Sequence, residues 1–329
     1  MNMSTPEENA GETPDDGFSH LPVMLDEVVS ALAPAPAGTL LDATLGGGGH
    51  AVALLEARPD CRLLGIDRDA TALESAGRRL TSFGDRVQLL HAAFGDLGDL
   101  LDDGLNGEPL AGFLFDLGVS SPQVDRPDRG FSYRQPGPLD MRMDRRQAMT
   151  AADVVNGYTE SDLAAALRTH GDERYARRIA AVLVASRPIT DTLQLADLVR
   201  EAIPAPARRR GGHPAKRTFQ ALRIEVNGEL SQLPDALDVA IECLVPGGRG
   251  VVLAYHSGED RIVKERFDQA ATGGCTCPAR LPCGCGALAT ARTLRRGARR
   301  PSEAEQVRNP RAASARLRVL ERTNPEKRP

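Results

Sequence analysis

No apolar run in this sequence reaches the roughly 20 residues that a bilayer-spanning helix needs, and its first residues hold no basic stretch followed by an apolar core. Neither a membrane span nor a secretory leader is expected, which places the chain in the cytoplasm. Repeats at solenoid periods are absent, so the 329 residues have to pack as ordinary globular units, and the length favours two domains or one with a large insertion. Lysine is scarce: beyond Lys216, Lys264 and Lys327 all basic charge is arginine. With tryptophan missing and aromatics at 4%, few rings serve both core packing and any stacking role. The net charge of −4 disfavours a general nucleic-acid binder, yet that charge is unevenly placed. Residues 1–19 carry Glu7, Glu8, Glu12, Asp15 and Asp16 without a base, whereas the chain from Arg292 onward is dense in arginine. A disordered acidic leader over 1–19, a disordered tail over 323–329 and an anionic partner for the basic part follow.

Against those absences stands the run Leu40-Leu41-Asp42-Ala43-Thr44-Leu45-Gly46-Gly47-Gly48-Gly49-His50. It reads as a buried strand breaking into a glycine-rich turn that opens a helix, where backbone can approach a ligand with no Cβ in the way. The next strand-like run ends in Asp67, about twenty residues on, where a carboxylate can accept both hydroxyls of a ribose. Taken alone this pair fits a nicotinamide-dependent oxidoreductase as well, since Gly46, Gly48 and Ala51 satisfy the loose dinucleotide pattern, and an ordinary glycine-rich turn remains a third reading.

Strands read at 39–43, 62–67, 86–91, 112–116 and 250–255 with helical patterns between them, which implies a parallel sheet covered on both faces. More than a hundred residues separate Asp116 from the helix beginning near Glu229, far too many for a loop. Their apolar spacing is helical throughout. The expected division is a cofactor domain over 20–127 and 227–322, with a small helical substrate-recognition domain inserted over 128–226.

After Asp116 come Leu117-Gly118-Val119-Ser120-Ser121-Pro122-Gln123, then Arg129-Gly130-Phe131-Ser132-Tyr133 and Pro138-Leu139-Asp140-Met141-Arg142-Met143-Asp144. Further on stand His213-Pro214-Ala215 with Arg217-Thr218-Phe219-Gln220-Ala221-Leu222-Arg223, His256-Ser257 with Glu259-Asp260-Arg261, and Asn309-Pro310-Arg311 with Ser314-Ala315-Arg316. In these motifs the sequence closely resembles the bacterial RsmH or MraW family, over nearly all of 20–322. The resemblance implies an α/β fold, a class I (Rossmann-like) S-adenosylmethionine-dependent methyltransferase sheet with an inserted all-helical domain. It also implies methylation of the exocyclic amine of a decoding-centre cytidine in 16S rRNA, met within the small ribosomal subunit. By the same analogy Gly48, Gly49 and His50 line the cofactor, Asp67 holds its ribose, Phe94 flanks its adenine, and Asp116 and Gln123 complete the site. Where the family has Phe-His-Ser-Leu-Glu-Asp-Arg this chain has Tyr255-His256-Ser257-Gly258-Glu259-Asp260-Arg261, and Ala313 replaces a usual arginine.

For the chemistry, Asp116, Ser121, Asp140, His256 and Glu259 are the candidates near the reacting amine, as acceptors or orienters. Phe131, Tyr133 and Tyr255 are candidates for stacking on a flipped base, each equally able to fill core. Arg208, Arg209, Arg210 and Arg217, with Arg295, Arg296, Arg299 and Arg300, are expected to hold RNA phosphates. A non-catalytic RNA-binding assembly factor is a further alternative, which the intact cofactor motif disfavours. Cys275, Cys277, Cys283 and Cys285 form two C-x-C pairs that can surround one structural zinc or remain a reduced loop.

Overall fold

Strands rich in Leu, Ile, Val and Phe without polar alternation need cover on both faces. The computed structural model, which describes residues 21–104, 108–208, 212–278 and 284–327, supplies it. Strands β1 (Gly38–Asp42), β2 (Cys61–Asp67), β3 (Val87–His91), β4 (Leu110–Asp116), β5 (Leu244–Ala254), β6 (Leu288–Thr293) and β7 (Arg316–Lys327) form one sheet in the order β3-β2-β1-β4-β5-β7-β6. The first five run parallel, and β7 lies antiparallel between β5 and β6. This is the α/β sheet that the resemblance implies. The antiparallel β7 sets it apart from the all-parallel dinucleotide-binding order.

Alternate residues of the central strands enter opposite layers. Leu40, Leu63 and Leu114 face helices α1 (Leu25–Leu32), α2 (Gly49–Ala57) and α3 (Ala70–Leu80). Leu41, Leu64, Ile66, Phe113 and Phe115 belong to the other layer, which contains Leu97 and Leu101 of α4 (Leu97–Gly104).

Between β4 and β5 the described chain is helical: α5 (Ser121–Asp125), α6 (Ala151–Gly157), α7 (Glu160–Gly171), α8 (Ala176–Ala185), α9 (Thr192–Ala202), α10 (Ala205–Arg208), α11 (Lys216–Asn227) and α12 (Glu229–Glu242). Local chemistry sets the starts. Thr150 and Asp153 close a capping box on α6, and the Asp191 carboxylate accepts the amides of Leu193 and Gln194 at the start of α9. Leu163, Ile179, Leu195, Phe219 and Leu222 build a core here separate from the two sheet layers. Helix α12, by contrast, returns to the sheet through Leu233 and Leu237, beside α13 (Ser257–Thr272), which buries Val263 and Phe267. Helix α14 (Glu303–Arg308) precedes β7.

Asn227, the last residue of α11, fixes the segment before α6 within this helical part. Its Nδ2 donates to the Met141 and Arg223 carbonyls and its Oδ1 accepts the Met143 amide, each at 2.8 Å.

Three sequence expectations change. Strand β5 begins at Leu244 and runs through Pro246-Gly247-Gly248, which reads in sequence as a break, because the register against β4 shifts between Leu110 and Gly112. Strands β6 and β7 were not foreseen. The supposed tail over 323–329 is strand as far as Lys327, with Glu326 and Lys327 paired to Ala289 and Leu288. Residues 1–20 lie outside the described residues, and among the described ones no helix is long and apolar enough to cross a membrane.

Candidate active site

Asp42, Asp67 and Asp116 are the last residues of β1, β2 and β4. Because those strands are parallel neighbours, the three carboxylates gather at one edge of the sheet, where the strand order turns back between β1 and β4. Asp42 is 2% exposed, and its Oδ1 accepts the Thr44 amide at 3.2 Å. Burial raises its pKa to about 8, with the charges of Asp116 and Asp67 adding to burial and the Thr44 bond opposing it. Burial also raises Asp67, against the pull of the Asp69 and Gly46 amides, which donate to its two oxygens at 2.8 Å each. Asp42 was missed in the sequence, although an acid closing β1 directly before a glycine turn was a visible signal.

The turn itself is shaped for a ligand. Gly46 and Gly48 have φ of +53° and +76°, a region that glycine enters without strain. A Cβ built on Gly47 meets nothing within 4 Å, so the backbone there faces open space, while one on Gly48 would press the Ala76 Cβ at 3.3 Å. Gly49 opens α2 with its Cα against Pro22. His50 is buried beside it; Nε2 donates to the Val23 carbonyl at 3.0 Å and Nδ1 lies 3.6 Å from Asp116 Oδ2.

Asp116 is held from three sides. Its amide donates to Thr44 Oγ1 at 2.6 Å, and the Tyr255 hydroxyl donates to its Oδ1 at 2.6 Å. Burial, together with the Asp116 charge and that bond, keeps the Tyr255 phenol protonated far above its ordinary range. The turn after β4 passes close by, with a Cβ on Gly118 landing 3.4 Å from the Tyr255 ring. Ser121 is buried at the start of α5.

Gln123 and Phe94 sit one layer back. Gln123 Nε2 donates to Asp69 Oδ2 at 3.0 Å, and the same oxygen takes a buried ion pair from Arg129 at 2.8 Å. Asp69 follows the ribose candidate Asp67 by two residues, so this network fixes the end of β2 against the loop after β4. Phe94 has the Arg68 guanidinium 5.0 Å from its ring centroid and Phe115 at 6.0 Å. Arg68 also donates to the Asn227 carbonyl at 2.7 Å, which links that ring to α11.

The loop after β5 is closed on itself. Both oxygens of Glu259 are engaged: Oε2 accepts the Tyr255 amide at 2.7 Å and the His256 amide at 3.2 Å, and Oε1 lies 3.1 Å from His256 Nε2. Arg223 stands 3.9 Å from Glu259 and makes a bidentate pair with Glu229 at 2.8 and 2.9 Å. Burial of Glu259 is outweighed by His256 and Arg223, and its pKa falls. Asp140 makes a bidentate pair with Arg142, which overcomes burial and holds its carboxyl below the ordinary range.

Of the three rings considered for stacking, only Tyr255 touches this cleft's carboxylates. Phe131 packs in the helical core with the Arg129 guanidinium 5.9 Å from its centroid. Tyr133 stacks on His213 at 4.5 Å and meets Phe219 edge-on.

Arg208 donates to the Ile203 and Glu201 carbonyls, Arg217 to the Asp172 carbonyl, and Arg299 pairs with Glu27 at 2.9 Å. Arg295 and Arg296 line a cavity with Lys264 and Arg318, and Arg300 is exposed on the same stretch. Arg209, Arg210 and Cys283 lie outside the described residues. Cys275, Cys277 and Cys285 come together at the opposite edge of the sheet, between α13 and β6.

Residues 17–323 match the model of the MraW methylase family. Among the curated relatives are proteins named ribosomal RNA small subunit methyltransferase H. That of Thermobifida fusca is 52% identical over 98% of this chain and 97% of its own length. That of Acidothermus cellulolyticus is 55% identical over 92% and 93%, and that of Heliobacterium modesticaldum 48% over 93% and 99%.

Proposed function

This chain belongs to the MraW methylase family, and from that premise we propose that it transfers a methyl group from S-adenosylmethionine to the exocyclic amine of a decoding-centre cytidine in 16S rRNA. The coarser part, methylation of small-subunit ribosomal RNA, is the activity its relatives are named for. The observation that supports the S-adenosylmethionine part of the reading is the set of three carboxylates around an open glycine turn. Such a site suits a ligand with ribose hydroxyls and positive charge, and the donor set therefore fits this cofactor. Bound there, S-adenosylmethionine supplies a methyl group on a sulfonium, whose sulfur leaves as a neutral thioether.

The chain's own residues do the rest. Asp67 accepts the ribose hydroxyls and Asp116 faces the same cleft, while Asp42, which burial keeps protonated up to about pH 8, ionises in favour of a cationic ligand. A cytosine amine attacks poorly because its lone pair is delocalised into the ring. Asp116 accepts an amine N–H, which returns density to the nitrogen, and then takes the proton that the methylated amine sheds. The Tyr255 hydroxyl on Oδ1 fixes the carboxylate's orientation for that exchange. Gly48, Gly49, His50, Phe94 and Gln123 shape the cofactor side, with Gln123 acting through Asp69.

On the RNA side, the arginines at 208–210, 217, 295, 296, 299 and 300 contact phosphates, with the small ribosomal subunit as the setting. The glycine turn and Asp67 alone would also suit an oxidoreductase, but the antiparallel β7 and the family match disfavour it, and the carboxylates gathered at the turn disfavour a non-catalytic role. The test uses labelled cofactor with 16S rRNA and with small subunits that lack the modification, and maps the product by nuclease digestion and mass spectrometry. Label on a cytosine amine is expected. Label on a ring carbon or on protein overturns the proposal.

A further inference from the structure

The segment 273–287, between α13 and β6, is long for a connection, and its described residues form neither helix nor strand. None of them is fully buried, so no apolar core holds the loop. Its two ends are nonetheless pinned together. Gly273, at φ +60°, lies so close to Leu288 that an added Cβ would sit 2.3 Å from the Leu288 carbonyl oxygen. Gly274 and Cys275 then turn back, their amides donating to the Gln269 and Thr272 carbonyls at 3.2 and 3.1 Å.

Within that exposed loop, the sulfurs of Cys275, Cys277 and Cys285 all lie within 4.8 Å of one another. Three thiols converging where no core brings them together need a cause. A tetrahedral zinc with Zn–S bonds of about 2.3 Å sets its sulfurs about 3.8 Å apart, a contraction that a loop without secondary structure can make.

We propose that Cys275, Cys277 and Cys285 bind one structural zinc ion that closes this loop. Each thiol gives its proton to solvent as its sulfur bonds the metal, and no electron is transferred. The position is structural because α13 runs away from the cleft edge, where it starts at Ser257, and β6 starts beside Lys327 at the far edge. The zinc therefore clamps the base of α13 to the start of β6 and takes no part in methyl transfer.

The test is elemental analysis of the full chain purified without chelators, together with limited proteolysis before and after chelation. About one zinc per chain is expected, with cleavage inside 273–287 appearing only after the metal is removed. Cys277→Ser should lose the zinc, whereas Cys243→Ser, at the end of α12, should keep it. Should Cys277→Ser not fold, cobalt added to the demetallated wild-type chain gives the same answer through thiolate-to-cobalt charge-transfer absorption. Zinc well below one per chain, unchanged zinc in Cys277→Ser, cleavage indifferent to chelator, or a disulfide found by mass in the purified chain would each overturn the assignment. Methyltransferase activity is not the readout, so the result stands apart from the proposed reaction.

Discussion

Two acidic groups share the cleft edge of this sheet and treat their charge in opposite ways. At the ends of β1, β2 and β4, burial raises Asp42 and Asp67, helped at Asp42 by the charges of Asp116 and Asp67 and at Asp67 by that of Asp69. Just beyond β5, Glu259 and Asp260 are also buried, yet His256 and Arg223 lower the first, and Arg318 and Arg316 the second. The second group is complete within the chain, because each carboxylate already has its cation. The first is pushed toward its neutral form, and a cationic ligand favours its ionisation. Acidic residues near a cleft therefore divide into those that hold the walls and those that wait for the ligand, and only their partners tell them apart.

The comparison breaks hardest at Asp116. Asp116→Asn should keep cofactor affinity within a few-fold while lowering the single-turnover methylation rate by about 10²–10⁴, the usual contribution of a placed proton acceptor. Calorimetry showing abolished cofactor binding with an unchanged rate would move Asp116 to the binding set alone.

Glu259 tests the other side. Glu259→Ala removes the acceptor of the Tyr255 and His256 amides and should cost about 1–3 kcal/mol of stability in urea unfolding for each donor left unsatisfied, while Arg223 keeps its pair with Glu229. A stable but inactive Glu259→Ala chain would instead make Glu259 a participant in the chemistry.

Asp67→Ala should weaken S-adenosylmethionine binding by at least about tenfold in a folded chain, since it removes charge-assisted bonds of about 1.5–3 kcal/mol. Unchanged affinity would remove the ribose assignment.

Asp42 sharpens the contrast through pH. Its folded pKa of about 8 lies above the ordinary 3.8, so the folded chain holds a proton that the unfolded chain releases. That contribution to stability is fully present below about pH 4 and is lost as the pH rises toward 8. The ligand-free melting temperature should fall across this range more steeply than in Asp42→Asn. Cofactor affinity should rise over the same interval, because a cation favours the ionised carboxyl. Equal slopes in the two chains would show that Asp42 does not titrate there.

The smallest effect belongs to the basic end. Replacing Arg295 and Arg296 with alanine should lower RNA affinity and reduce its salt slope by about 0.7–0.9 for each phosphate no longer neutralised, with cofactor affinity unchanged. An unaltered salt slope would place the RNA elsewhere.

The central strands were legible because β1, β2 and β4 are buried on both faces and read as continuous apolar runs. Strand β7 was not, since Arg316-Leu317-Arg318-Val319-Leu320-Glu321-Arg322 spends its polar positions on partners that only the fold brings near. Arg316 and Arg318 meet Asp260, and Glu321 meets Arg249 and Arg292. The glycine turn and Asp67 announced themselves by spacing. The partners of Glu259 and Gln123 did not, because Arg223 and Asp69 are remote in sequence and carry no local pattern. Tyr133 looked like a stacking ring, and its stacking partner is the chain's own His213.

The place of β7 in the sheet has a consequence for synthesis. Among the described strands β7 is last in the chain, yet it lies between β5 and β6, and β6 pairs with no other strand. A growing chain therefore presents β5 as an open edge, already carrying Tyr255 at its end, until Arg316 emerges about sixty residues later, roughly 3–12 s at ordinary elongation rates. For that interval the molecule holds its cofactor turn and its helical insertion but has an unfinished sheet. Slowing translation over 255–315 should thus lengthen exposure of a sticky edge, and the yield of native protein should track elongation speed there.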